Sequence, residues 1–237
     1  MIKEKYKQLF LYTQFGGIRT ITIYIRYHAL VMKKIHYIIL SLILLISCQS
    51  KSVNSIFHFE NGDIIFQTSK SSQSKAIQIA TKSKYSHMGI VYNVDNKIYI
   101  YEAVQPVKLT PLTEWINRGE NSHYVVKRLI NSKNILTFEN LIKMRDIGDR
   151  FIGKNYDLYF EWSDKRIYCS ELVWKIYKEA LGLEIGKLET LKDFDLTNNI
   201  VQSKMIERYG DNIPLNELVI SPASMFNSDK LETVYKN

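Results

Sequence analysis

Cys169 is the residue of this sequence with the clearest capacity for chemistry, because it stands at the predicted first turn of an amphipathic helix. Unpaired backbone N–H groups and the positive end of the helix dipole favour a thiolate at such a position, and the thiolate is the reactive form of cysteine. An apolar stripe at spacings of three and four residues defines the helix, and Gly182 stands where a C-terminal cap is expected. The pattern also fits a cysteine that is only a small buried hydrophobe, so catalysis requires partners elsewhere.

His87 and Glu102 are candidates for those partners. They lie on two predicted strands joined by a polar turn at Asp95-Asn96, the clearest hairpin of the chain. With a two-residue turn and no bulge, Gly89 stands opposite Glu102, and His87 is the diagonal neighbour on the same face. A carboxylate that binds one imidazole nitrogen leaves the other nitrogen to take a proton from a thiol. We therefore expect a triad, with this face of the hairpin packed against the helix of Cys169.

Each of these residues also has an ordinary structural explanation. His87 could be a half-buried strand histidine bound to a backbone carbonyl, and Glu102 a carboxylate in solvent at a strand end. A zinc site from His87, Cys169 and a carboxylate is a further alternative, but the sequence has no paired spacing such as Cys-x-x-Cys or His-Glu-x-x-His. It also has no glycine-rich phosphate loop. We predict neither a metal nor a cofactor.

Length and charge limit the class of protein. The chain of 237 residues is 46% hydrophobic, which suffices for one sizeable core plus an N-terminal appendage. Its formal net charge of +8 invites a nucleic-acid interpretation, but residues 1–47 carry most of that excess. The remainder has no basic stripe with interleaved aromatic residues, so we predict no nucleic-acid partner.

Residues 32–47 have the order of a secretory signal peptide. Lys33-Lys34 form a positive start, and Ile35–Ile46 form an apolar run that ends before a small residue and Cys48. The run is about a dozen residues, well short of the roughly 20 that a membrane-spanning helix needs. The stretch Leu45-Ile46-Ser47-Cys48 resembles the lipobox of bacterial lipoproteins. This resemblance implies that Cys48 is lipidated and anchors the domain outside the cytoplasm, at the bacterial cell envelope.

The rest of the chain divides accordingly. We interpret residues 1–31 as a gene-model extension, residues 48–60 as a tether and residues 61–237 as the domain. Cys48 and Cys169 are the two cysteines of the sequence, so a lipidated Cys48 leaves Cys169 without an intramolecular disulfide partner.

Hydrophobic patterns predict a mixed domain. We expect strands at 62–66, 85–92, 98–104, 123–129 and 218–222, and helices at 72–82, 112–118, 136–151, 169–181 and 198–209. Residues 184–211 are a candidate lid or pocket wall.

Five short motifs follow one another in order: Gly62-Asp63-Ile64-Ile65-Phe66, Tyr85-Ser86-His87-Met88-Gly89-Ile90-Val91, Tyr101-Glu102-Ala103, Tyr156-Asp157 and Tyr168-Cys169-Ser170-Glu171-Leu172-Val173. Together they resemble the YiiX/YebB-like group of NlpC-type cysteine hydrolases, a circularly permuted branch of the papain-like fold. The resemblance implies an α+β fold in which an antiparallel sheet packs against the cysteine-bearing helix. It also implies that Cys169 is the nucleophile, His87 the general base and then acid, and Glu102 the orienting residue.

The resemblance further implies cleavage of an amide or ester acyl bond through a thio-acyl intermediate, with cell-wall peptide as the expected substrate. The backbone N–H of Cys169 and one more donor would bind the oxyanion, and Tyr85, Tyr168 and Tyr156 are candidates for substrate or oxyanion contacts. Two alternatives stay open. One is a deacylase or acyltransferase acting on lipids, and the other is a non-catalytic lipoprotein that binds cell-wall or lipid ligands. The sequence predicts no oligomeric state.

Overall fold

A six-stranded antiparallel sheet lies at the centre of the protein, in a computed structural model that describes residues 57–237. In chain order the strands are β1 Ile64–Ser69, β2 His87–Val94, β3 Lys97–Glu102, β4 Lys108–Pro111, β5 Gly119–Leu129, β6 Glu189–Thr190, β7 Leu218–Val219 and β8 Leu231–Lys236. Their order in the sheet is β4-β3-β2-β1-β5-β8, and β6 and β7 form a separate pair.

Helices pack on both faces of the sheet. They are α1 Ser74–Thr81, α2 Leu112–Asn117, α3 Ser132–Ile135, α4 Phe138–Asp149, α5 Cys169–Leu181, α6 Asn199–Tyr209 and α7 Pro222–Phe226. The predicted α+β class is confirmed. Between residues 57 and 237, no helix has both the length and the apolar character that a membrane span requires.

Helix α5 carries the cysteine and forms for the reasons that the sequence predicts. Its apolar stripe is buried against the sheet, and Gly182 ends the helix in the left-handed conformation at a φ of 72°. At the first turn, the backbone N–H of Tyr168 donates to the Glu171 carboxylate at 3.4 Å. Lys175 lies 2.8 Å from the other oxygen of that carboxylate. The start of the helix is thus held in place on both its apolar and its polar side.

The β2–β3 hairpin has the predicted register. Asp95 and Asn96 both adopt positive φ, at 51° and 62°, as a two-residue turn of type I′ requires. Val94 pairs with Lys97 and the ladder continues without a bulge to Ile90 and its partner. The same register places Gly89 opposite Glu102.

The two faces of the sheet carry different cores. Even-numbered positions of β2, such as Ile90, pack with Leu172 of α5 in the larger core. Odd-numbered positions, such as Val91, pack with Trp115 of α2 on the other face. Because side chains alternate along a strand, His87 lies on the α2 face.

This arrangement corrects our expectation that the His87–Glu102 face packs against the cysteine helix. Helix α5 covers the opposite face. It meets His87 where β2 begins, because Cys169 is the first residue of α5 and His87 the first residue of β2. The alternation of side chains along a strand determines which residues share a face of the sheet, but it does not determine which helix covers that face.

The N-terminal boundary of the domain also differs from the prediction. Residues 1–56, with the predicted extension, signal peptide, Cys48 and most of the tether, lie outside the described residues. Residues 57–60 were assigned to the tether but belong to the folded unit that runs from Phe57 to Asn237. The ring of Phe57 lies 4.7 Å from that of Tyr235, and Glu60 forms an ion pair with Arg128 at 2.7 Å. Aromatic burial and this ion pair therefore extend the domain beyond residue 61.

Helices α1 and α6 form a smaller core apart from the sheet. Its buried members are Ala76, Leu191, Val201 and Met205. The segment between β6 and α6 packs against it through Phe194 and Leu196. This satellite core stands beside the start of α5, where both contribute to one cavity.

Candidate active site

His87 and Glu102 are in direct contact, as the hairpin predicts. The Nε2 atom of His87 lies 2.5 Å from Oε2 of Glu102, and both side chains are buried. Cys169 lies on the other side of the imidazole, close enough to raise the pKa of His87. Since Nε2 faces Glu102, Nδ1 is the ring nitrogen left for the thiol. The structure thus brings the three predicted triad residues together in the order thiol, imidazole, carboxylate.

Glu102 is held by more partners than the sequence predicts. Its second oxygen, Oε1, accepts hydrogen bonds from the Thr110 hydroxyl at 2.5 Å and from the guanidinium of Arg118. Thr110 lies on β4, the strand next to β3, and Arg118 follows α2 directly. The carboxylate is fully buried, with 0% of its residue surface exposed. Both of its oxygens are therefore engaged, and its alternative role as a solvent-exposed carboxylate is wrong.

The charges of this pair stabilise one another. Burial alone would lower the pKa of His87, but the contacts with Cys169 and Glu102 outweigh burial and raise that pKa to about 10. Burial alone would raise the pKa of Glu102, but His87, Thr110 and Arg118 lower it to about 2. At neutral pH the pair is consequently an imidazolium and a carboxylate, and an imidazolium is the partner that favours a thiolate.

Two features hold the imidazole and its carboxylate partner in place. Trp115 of α2 stacks on the His87 ring, with centroids 6.0 Å apart and an interplanar angle of 27°. Gly89 lets β2 and β3 approach closely beside Glu102, because a Cβ there would lie 2.5 Å from Cγ2 of Ile100 and 2.7 Å from the carbonyl oxygen of Tyr101. A side chain at this position would force the strands apart.

A chain of polar contacts reaches Cys169 from the other side. Arg208 donates to Oε1 of Gln73 at 2.6 Å, and Nε2 of Gln73 donates to the Tyr156 hydroxyl at 3.0 Å. Tyr156 lines the same space as Cys169, and the charge of Cys169 helps to raise the pKa of the phenol. Burial raises the pKa of Tyr156 well above its ordinary value, so the phenol keeps its proton. Because Gln73 donates to the phenol oxygen, the phenol proton is free to donate toward the reacting centre.

The other two tyrosines predicted near the substrate have structural partners. The Tyr168 hydroxyl accepts from the backbone N–H of Ile220 at 3.1 Å, and the residue is 2% exposed. Tyr85 stacks on Phe226, with ring centroids 4.2 Å apart, and is not part of the walls around Cys169 and His87. Of the three candidates, Tyr156 is the one that lines both the space beside Cys169 and the space beside His87.

Two spaces of different size adjoin Cys169 and His87. The first, the apolar cavity, has a volume of about 90 Å³ and is lined by Cys169 and by side chains of α1, α6 and residues 191–196. The second, the open cleft, has a volume of about 690 Å³, and its lining mixes polar side chains, His87 and Arg118 among them, with apolar ones such as Leu158. Gln73 and Tyr156 belong to both walls and separate the two spaces. Residues 184–211, predicted as a lid or pocket wall, contribute wall residues to the apolar cavity.

Five site residues escaped the sequence analysis: Gln73, Thr110, Trp115, Arg118 and Arg208. None of them occurs in a spacing that signals chemistry. A threonine or an arginine is common near a strand end or a helix end, and only tertiary contacts bring these residues to Glu102 or Tyr156. The one available signal was the position of Gln73 in the first turn of the helix predicted over 72–82.

Comparisons with known proteins concern the family and the fold of the chain. A family described as "Permuted papain-like amidase enzyme, YaeF/YiiX, C92 family" matches residues 58–235. The uncharacterized protein YiiX of Escherichia coli strain K12 is 51% identical over 177 residues, which are 75% of this chain and 86% of that protein. A solved structure described as the metalloprotein yiiX from Escherichia coli O157:H7 is 51% identical, has a TM-score of 0.73, and covers 76% of this chain and 99% of its own.

Proposed function

The chain belongs to the YaeF/YiiX, C92 family of permuted papain-like amidase enzymes and is a cysteine hydrolase of that type; we propose that Cys169, His87 and Glu102 are its catalytic triad. One observation carries the proposal. His87 is hydrogen-bonded to a fully buried carboxylate through Nε2, and Cys169 lies close enough to the imidazole to raise its pKa. Catalysis depends on this spatial arrangement, and the order of the residues along the chain is free to differ from that of papain-like enzymes.

Acylation begins with the sulfur of Cys169. The thiolate attacks the carbonyl carbon of the substrate, and a C–S bond forms as the carbonyl oxygen becomes an oxyanion. The tetrahedral intermediate collapses, the bond to the leaving group breaks, and the imidazolium of His87 gives its proton to the leaving amine or alcohol. The products of this half-reaction are a thioester on Cys169 and a neutral His87.

Deacylation uses the same groups in reverse roles. His87 takes a proton from a water molecule, and the resulting hydroxide attacks the thioester carbonyl. The C–S bond then breaks and releases a carboxylic acid and the thiolate. Glu102 remains ionised throughout, and it orients the imidazole and stabilises its charged form.

The oxyanion requires donors that are in place before the reaction. The backbone N–H of Cys169, at the start of α5, is the first. We assign the second to the hydroxyl of Tyr156, because its oxygen already accepts from Gln73 and its proton is available beside Cys169. The contact from Arg208 to Gln73 holds this donor in position.

The solved relative is described as a metalloprotein, which raises the question whether the side chains of this site could bind a metal ion. Within residues 57–237, no group of three or more His, Cys, Asp and Glu side chains is arranged to hold a metal ion. Both oxygens of Glu102 are occupied by protein donors, which leaves Cys169 and His87 as a set of two. Two donors fall short of the three protein ligands of a catalytic zinc site. The mechanism is therefore derived from the side chains alone.

Substrate and location are further parts of the proposal. A lipid on Cys48 would hold the enzyme at the cell envelope, where an acyl bond in cell-wall peptide is within reach. The support for this is the signal-like order of residues 32–47 followed by the lipobox-like stretch. The open cleft can admit a polar peptide beside His87.

The proposal is tested by the reactivity of Cys169 toward iodoacetamide at pH 6, followed by mass spectrometry of the peptide that contains it. We expect His87→Ala to slow the reaction roughly tenfold or more, because the variant lacks the imidazolium that favours the thiolate. His123→Ala is the matched control, since His123 contacts Lys84 and Asn237 instead. Equal rates in the wild type and His87→Ala would refute the triad.

A further inference from the structure

The apolar cavity and the open cleft place different demands on the two halves of a substrate. The inference drawn from them rests on the proposed function, because it uses the roles of Cys169 and His87. We propose that the acyl half of the substrate is apolar and occupies the apolar cavity, while the leaving group occupies the open cleft.

The direction of binding follows from the chemistry of the two catalytic side chains. The acyl group becomes bonded to Cys169, which lies in the wall of the apolar cavity. The leaving group takes its proton from His87, which lies in the wall of the open cleft. Each residue belongs to one of the two walls, so the reacting carbonyl sits between them and its two substituents point into different spaces.

The composition of the apolar cavity selects the chemistry of the acyl group. Its walls come mainly from the satellite core of α1 and α6, with the side chains of Ala76, Leu191, Val201 and Met205, together with Phe160. Its volume of about 90 Å³ can hold roughly six water-sized groups, at about 15 Å³ for each. A chain of several methylenes fits such a space, whereas a polar group would lose its hydration without gaining partners.

The charges at the edge of the cavity exclude one class of acyl group. Arg208 lies over the ring of Phe160, 4.9 Å from its centroid, and Lys204 also lines the cavity. Glu207 neutralises Lys204 at 2.6 Å, but Arg208 contacts the neutral Gln73. A cationic acyl group, such as a lysyl group, would meet a like charge beside an apolar wall. The charges therefore add to the preference of the apolar walls for an aliphatic acyl group over a cationic one.

Two sources supply such an acyl group: a fatty acyl compound, and a peptide with an apolar residue before the scissile bond. The test compares p-nitrophenyl esters that share one leaving group and differ in the acyl group: acetyl, butyryl, octanoyl, N-acetylleucyl and N-acetyllysyl. Each additional methylene that the cavity buries can raise kcat/KM by up to about fourfold. We expect kcat/KM to rise at least about tenfold from acetyl to octanoyl or N-acetylleucyl, and the faster of these two identifies the source.

Variants of α1 and α6 link the preference to the cavity. Ala76→Phe fills it and is expected to reduce the octanoyl-to-acetyl ratio of kcat/KM to near one. Lys75→Phe adds the same ring at an exposed position of the same helix and should keep the wild-type ratio. Val201→Ala widens the cavity and should shift the highest kcat/KM to an ester with a longer acyl chain. This variant tests the proposal if Ala76→Phe does not fold.

The outcomes separate the two proposals. Ester cleavage that depends on Cys169 but does not vary with the acyl group, or that is fastest with N-acetyllysyl, overturns the acyl specificity and leaves the hydrolase intact. Ratios that are unchanged in both cavity variants overturn it as well. Cleavage that is equal in the wild type and Cys169→Ala refutes the proposed function itself.

Discussion

The buried Glu102 is the residue that gives the site its electrostatic character. Its pKa is lowered to about 2, and the pKa of His87 is raised to about 10. Each group keeps its charge because it faces the opposite charge of the other. The stabilisation from Glu102 is complete above its ordinary pKa of 4.5 and is lost as the pH falls through about 2. The stabilisation from His87 is complete below 6.5 and is lost as the pH rises through about 10. Both contributions are therefore complete between pH 4.5 and 6.5.

A prediction at this scale concerns Glu102→Gln, which keeps the size of the side chain and removes the charge. Wild-type protein should lose the Glu102 contribution to the free energy of unfolding between pH 4.5 and 2, and the variant has no such contribution to lose. We expect the difference in unfolding free energy between the two proteins to narrow over this interval, as measured by urea denaturation at several pH values.

The matched control for this measurement is Glu114→Gln. Glu114 is exposed and pairs with Lys108 at 3.5 Å, and such surface pairs contribute little to stability. The unfolding free energy of Glu114→Gln should therefore vary with pH in parallel with that of the wild type. A constant difference between wild type and Glu102→Gln from pH 4.5 to 2 would contradict the assignment of a buried, ionised carboxylate.

At the scale of the element, the β2–β3 hairpin is the frame of the site. It places His87 and Glu102 on one face, and Gly89 between them allows the two strands to approach. The adjacent strand and the end of α2 then supply Thr110 and Arg118 to the carboxylate. The hairpin is therefore the element on which the geometry of the base depends.

Gly89→Ala tests this dependence. The new methyl group would overlap the backbone carbonyl of Tyr101, and a backbone atom cannot move aside as a flexible side chain can. We expect a loss of stability of about 1–3 kcal/mol, as is typical of overpacking, together with a lower kcat/KM because Glu102 is displaced. Thermal unfolding and ester hydrolysis measure the two effects. Asn93→Ala, on the same face of β2, is the control, and equal behaviour of the two variants would show that close approach at Gly89 has no special role.

Elements with a strong local pattern could be predicted from the sequence. The hairpin followed from alternation and a polar turn, and the cysteine helix followed from its apolar stripe and Gly182. Strands β4 and β8 were not predicted. Strand β4 has four residues and ends in a proline, and β8 pairs with β5 from more than a hundred residues away. Local patterns do not encode such pairing.

The contacts of the candidate site also divide into those that the sequence predicts and those that it does not. The contact between His87 and Glu102 depends on hairpin register, which the sequence encodes over sixteen residues. The contacts of Gln73 and Arg118 depend on how helices pack at a distance, and their residue types carry no signal of that packing. The face of the sheet that α5 covers is also decided by packing, and that prediction was wrong. Catalytic roles for these residues stay predictions.

At the scale of the whole molecule, the proposed substrate site lies where the sheet and the satellite core meet. The sheet with α5 supplies the proposed catalytic residues, and the satellite core of α1 and α6 supplies the apolar walls. The proposed anchor at Cys48 precedes the first described residue, Phe57, by fewer than ten residues. So short a tether would keep the domain close to the membrane surface.

The anchor yields a prediction of its own. Cys48→Ser removes the thiol that a lipid would modify, so the protein should move from the membrane fraction to the soluble fraction. Its rate of ester hydrolysis should be unchanged, because Cys48 lies outside the domain that carries the site. Fractionation followed by immunoblotting measures the distribution. Ser47→Ala keeps a small residue before the cysteine and should remain in the membrane fraction, and Cys48→Ser that also remains there would refute the anchor.

The boundary formed by Gln73 and Tyr156 has a consequence for the order of kinetic events. In the proposed binding mode the acyl group lies on one side of this boundary, so we expect the first product to leave through the open cleft and water to enter there. The first product therefore competes with water for the thioester, and its accumulation should reverse acylation. Other amines or alcohols that enter the open cleft would compete in the same way, so the balance between hydrolysis and acyl transfer is set by what the cleft admits rather than by the triad.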